Sequence, residues 1–159
     1  MQPFKDDLIF SKPSTTYFWL SLAVLVAIAT VAVVITPDDD SGSSFVTVIE
    51  VIATAGATGL AVRRGWFIGA DAYSSLYGTA RVPLLDKLGV AWRAILIFVL
   101  VLGGVGLLDV MMGDSTAANL ITTLIDMAAC IGIALYVGER MGWKAAVDTL
   151  SSKPVATPS

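Results

Sequence analysis

Four long apolar runs, joined by short polar turns, constrain this chain more than any other feature. A helix needs about 20 consecutive apolar residues to cross a bilayer. The first run is 17–36, entered through Pro13 and Ser14 and stopped by Pro37. The second is 45–62, with Ser43 or Ser44 as its N-cap. The third is 88–112, inside a helix expected to begin at Pro83 and end at Gly113. The fourth is 116–138, capped by Asp114 or Ser115. The first run continues to Ile35, too long for the apolar part of a cleaved leader, so it is read as a span.

Composition supports this. Of 159 residues, 56% are hydrophobic and 14% charged, against about 25% charged in soluble domains. Mean hydropathy is +0.80. One soluble core of this size has no room for so much apolar surface. The expected fold class is an all-α integral membrane protein with four transmembrane helices.

The basic residues fix an orientation. The turns 37–44 and 113–115 carry Asp38, Asp39, Asp40 and Asp114 and no Lys or Arg. All 10 basic residues fall on the other side, which the positive-inside rule makes cytoplasmic. Both termini are therefore expected inside. Trp19, Trp66, Trp92 and Trp143 gather near the same side and are expected to act as interface anchors.

An internal similarity divides the chain. Gly65-Trp66 is followed by Asp71 and Ser74-Ser75, and Gly142-Trp143 by Asp148 and Ser151-Ser152. Arg63 and Arg140 match at the same offset of 77. This offset lays the first span on the third and superposes the acidic turns. The expected architecture is two tandem parallel-repeat hairpins, related by a pseudo-two-fold along the membrane normal. Residues 1–16 form a cytoplasmic N-terminal segment. Residues 17–82 hold the first hairpin and its interfacial link, and 83–150 the second hairpin with its amphipathic segment. Residues 151–159 form a flexible tail. Spacing of Trp66, Tyr73 and Tyr77 suggests an amphipathic helix lying on the inner leaflet or, equally, a docking surface, with Trp143–Leu150 as its copy.

Composition also excludes chemistry. With no His, the usual haem and zinc ligands and the Ser-His-Asp and Cys-His mechanisms are missing. Cys130 is the single cysteine, so no internal disulfide forms. No nucleotide motif and no nucleic-acid footprint is present. No enzyme activity, cofactor or metal is expected.

What remains is intramembrane acid. Glu50 lies roughly 7–8 Å below the outer end of the second span, and Asp126 near the middle of the fourth. Asp109 sits about one turn from the end of the third and is read as reaching water. An ionised acid near mid-bilayer costs at least about 2.5–3.5 kcal/mol, so Glu50 and Asp126 must face inward, be protonated or have partners. Thr47, Glu50, Thr54 and Thr58 make one helical stripe; Asn119, Thr123, Asp126 and Cys130 make another. Two readings follow. The polar stripes are interhelical glue, or Glu50, Asp126, Thr54, Thr123 and Asn119 form a shared ion or proton site. Ala55, Gly59, Gly103, Gly104 and Gly132 are expected at helix contacts, inside the protein or to other subunits.

In outline, a duplicated two-helix unit with a carboxylate in each second helix is similar to the rotor-ring proteolipids of vacuolar-type ATPases. The first helix lacks their repeated Gly-x-Gly pattern, and the turns lie outside rather than in the cytoplasm. The expected function is a non-enzymatic structural, anchoring or assembly subunit of a larger membrane complex, such as a respiratory, secretion or viral-envelope assembly. The alternative is an oligomeric ion or proton channel or transporter using Glu50 and Asp126. Expected partners are membrane lipids and further copies or other membrane subunits, with no nucleic acid.

Overall fold

A computed structural model describes residues 12–35, 40–77, 87–112 and 116–151, and these form four α-helices. They are α1 (Lys12–Ile35), α2 (Asp40–Tyr77), α3 (Lys87–Met112) and α4 (Thr116–Ser151). Three of them hold stretches long and apolar enough to cross a membrane: Pro13–Ile35, Phe45–Tyr77 and Asn119–Thr149. In α3 the described residues include an apolar stretch over Gly89–Val105.

Pro13 sits in the first turn of α1, where its missing N–H and fixed φ do no harm. α2 begins earlier than expected, at Asp40, so Ser43 and Ser44 lie inside the helix rather than capping it. The expected helix start at Pro83 and the caps at Asp114 or Ser115 fall outside the described residues, as does the tail from 152 onward. So does the side chain of Asp109.

The larger departure concerns the segments after the second and fourth runs. These were expected to turn and lie flat. Instead α2 continues through Arg63–Tyr77 without a break, reaching 38 residues, or about 57 Å. α4 likewise runs on for 36 residues. No proline interrupts either helix, and Gly65, Gly69, Gly138 and Gly142 are spent on packing rather than on a bend.

α2 and α4 form the centre of the fold and run parallel. A methyl group on Gly65 would strike the Leu135 carbonyl, and one on Gly69 the Glu139 carbonyl. Reciprocally, one on Gly138 would strike the Val62 carbonyl and one on Gly142 the Trp66 carbonyl. Only glycine permits two helix backbones so close. Ala61 and Ala134, fully buried, extend the seam by one turn. The reciprocal contacts pair Gly65 with Gly138 and Gly69 with Gly142, a register of 73. The sequence similarity runs at 77, about one helical turn away. In the packed pair, therefore, Trp66 lies level with Glu139 rather than with Trp143.

α1 and α3 each touch both central helices and, among the described residues, not each other. Leu25 of α1 and Ile97 and Val101 of α3 meet Val62, Met127, Ile131 and Leu135 in one core. Gly59 faces α3, its added methyl reaching Ala94 at an ordinary 3.9 Å.

These contacts set a common height scale. Ser14 is opposite Glu139, and Ala94 is opposite Gly59. At 1.5 Å per residue, Trp19 and Trp92 then stand at the same level, about 6 Å above the Gly65–Gly138 contact. Both are largely exposed, at 63% and 66%. Above them, among the described residues, large apolar side chains are exposed on every helix, up to Ile35, Phe45, Met111 and Leu120. This belt is roughly 25 Å tall. Among the described residues, only α2 and α4 continue far below it, for about another 24 Å, and they end level with each other.

Candidate functional site

The two polar stripes meet. Above the glycine contacts, α2 and α4 leave between themselves and α3 a half-open cavity of ≈ 360 Å³. Thr47, Glu50 and Thr54 line it from α2, and Thr122, Thr123 and Asp126 from α4. Phe98, Leu102 and Val105 of α3 close the third side. The helical period explains the convergence: positions three and four apart stack on one face, and each face turns toward the other helix.

On the glycine register, Glu50 stands opposite Thr123, and Asp126 about 4.5 Å lower. Asp126 lies near mid-height of the apolar belt. Both carboxylates are half-buried. The Cys130 thiol donates to Asp126 Oδ1 at 3.8 Å. Below the cavity, Thr58 is fully buried and its hydroxyl donates to the Thr54 carbonyl at 2.7 Å. The Thr122 hydroxyl donates to the Asn119 carbonyl at 3.0 Å.

Of the five residues expected at a shared site, Glu50, Asp126, Thr54 and Thr123 line this cavity. Asn119 does not; its side chain is exposed at the upper end of α4. Thr47 and Thr122 join the lining. No Lys or Arg is among the lining residues. Among the described residues no three of His, Cys, Asp and Glu group as metal ligands. Apart from the Met127 thioether, the cavity offers oxygen ligands from side chains, with two carboxylates. Such a set suits a proton or a cation that favours oxygen.

Within the single chain, the expected packing residues are not where the helices come closest. Gly103 and Gly104 face outward, and an added methyl on either would meet nothing within 4 Å. Ala55 and Gly132 are half-buried. The tight contacts belong instead to Gly65, Gly69, Gly138 and Gly142. Their Gly-x-x-x-Gly spacing is plain in the sequence, but it lies past the apolar runs. Of the expected anchors, Trp19 and Trp92 are exposed at the belt edge, whereas Trp66 is buried. Trp143 lies edge-on against Tyr73 at 5.0 Å.

One further polar contact was not anticipated. The hydroxyl of Ser14, fully buried at the start of α1, donates to Glu139 Oε2 of α4 at 2.8 Å. The two are 125 positions apart, and no local pattern announces the pair.

No family model, curated protein or solved structure matches this chain.

Proposed function

We propose that the chain is an integral membrane protein whose four helices all cross the bilayer, with α3 as the fourth crossing. It acts as a non-enzymatic structural, anchoring or assembly subunit of a larger membrane complex. The apolar belt supports the crossing: its height approaches the roughly 30 Å of a hydrocarbon core, and exposed tryptophans mark its lower edge. The distribution of Lys and Arg supports a cytoplasmic lower side, with both termini there.

The observation that carries the assembly role is the paired extension of α2 and α4. Glycine contacts join its upper part, and it stands clear of the belt with Leu76 and Tyr77 exposed at its tip. A membrane subunit that displays such a rod offers a partner a fixed surface. Copurification from native membranes tests this. Leu76→Glu with Tyr77→Ser is expected to release a bound partner while the protein stays in the membrane. Unchanged copurification, or no partner in the parent protein, contradicts the role.

The cavity favours a second reading: an oligomeric ion or proton pathway using Glu50 and Asp126. Four helices rarely enclose a path, so this reading requires several copies. Flux into liposomes that disappears with Glu50→Gln or Asp126→Asn supports it; absence of flux in the parent protein rejects it.

Tandem duplication of a hairpin is part of the proposal. In support, α1 and α3 flank the central pair on two sides and the glycine contacts are reciprocal. A slide of one helical turn then separates the register of 73 from the ancestral 77.

A further inference from the structure

The lower rim of the belt carries Arg63 and Arg64 on α2 and Arg93 on α3. On the height scale set by the Gly65–Gly138 and Gly59–Ala94 contacts, all three lie within about 6 Å of the level of Trp19 and Trp92. Their side chains do not serve the core. Arg93 Nη1 turns back down its helix to the Gly89 carbonyl at 2.8 Å, away from the belt. The Arg63 guanidinium lies against the Phe67 ring, one turn lower, at 5.9 Å from its centre. Arg64 is exposed. Among the described residues none of the three is held in an ion pair. Asp71, the next acid along α2, is about 10–12 Å below.

Three guanidinium groups at one depth, with no carboxylate paired to them among the described residues and next to apolar surface, fit one chemistry. The ligand must be anionic, offer planar or tetrahedral oxygens, and have an apolar body on the belt side. We propose that this rim holds the phosphate headgroups of acidic phospholipids, with the acyl chains against the apolar belt above. Guanidinium groups bind phosphate through paired N–H donors. Stacking on Phe67 keeps the Arg63 group in place before the lipid arrives. A basic residue at an anionic leaflet is attracted at short range and screened beyond it, so the depth match matters. This proposal rests on the membrane reading above, and adds lipid selectivity to it.

Tryptophan fluorescence reads the proposal directly, because all four tryptophans lie toward this end of the bundle. The full chain is reconstituted in phosphatidylcholine vesicles in which either dibrominated phosphatidylglycerol or dibrominated phosphatidylcholine replaces the same fraction of lipid. Brominated phosphatidylglycerol is expected to quench more, with a relative binding constant of at least about threefold. Arg63→Gln, Arg64→Gln and Arg93→Gln together should return that ratio to one with helix content unchanged by circular dichroism. Inorganic phosphate at matched ionic strength should leave the preference intact. Equal quenching by the two lipids, or a preference that survives the triple substitution, overturns the proposal. Loss of the preference on adding phosphate reassigns the rim to a free anion and also overturns it. No quenching by either lipid, with failure to float with vesicles, defeats the membrane reading itself.

Discussion

At the scale of single residues, glycines divide sharply by what surrounds them. Gly65, Gly69, Gly138 and Gly142 each face a carbonyl of the opposite helix, whereas Gly103 and Gly104 face open space. Replacing Gly65 or Gly142 by Ala should force the α2 and α4 backbones apart and cost about 1–3 kcal/mol. Replacing Gly103 or Gly104 should be neutral or stabilise by up to about 1 kcal/mol through helix propensity. Thermal unfolding in detergent distinguishes the sets, and equal effects would contradict the seam. Ser14→Ala removes the donor to Glu139 in a buried setting. A loss of about 1–3 kcal/mol is expected, because the carboxyl oxygen keeps its burial without its partner. An unchanged melting temperature would show that Ser14 contributes nothing there.

At the scale of elements, the pattern of apolar runs located the helices but not their lengths. Hydropathy falls off at Arg63 and Arg140, where the apolar runs end. That fall marks only the edge of the apolar belt. Helix α2 continues because its seam residues are Gly and Ala, which score as neither strongly apolar nor polar yet pack backbone to backbone. The polar stripes were legible for a simpler reason. Thr47, Glu50 and Thr54 recur at helical spacing, so their shared face follows from geometry alone. The partner across the cavity followed only from the assumption that acids avoid lipid. The Ser14–Glu139 contact and the register of 73 were illegible, since they depend on which helices adjoin and at what height. A spin label at Ser75 tests the continuous helix. It should be fully accessible to a water-soluble nickel chelate and hidden from oxygen dissolved in lipid. The reverse pattern would return Trp66–Tyr77 to the membrane surface.

At the scale of the whole molecule, the account depends on α2 and α4 packing in one register inside a bilayer. That register brings two acids from opposite halves of the chain to one cavity near mid-height of the apolar belt. It also sends both helices out on the basic side as a single rod. Glue and ion pathway differ in what the cavity does, but both need this arrangement. The direct test is cross-linking in vesicles with a short bifunctional thiol reagent, in a Cys130→Ala background. The pair Glu50→Cys with Thr123→Cys should link readily, and Glu50→Cys with the outward-facing Leu124→Cys should not. Preferential linkage of the second pair, or of neither, would contradict the account.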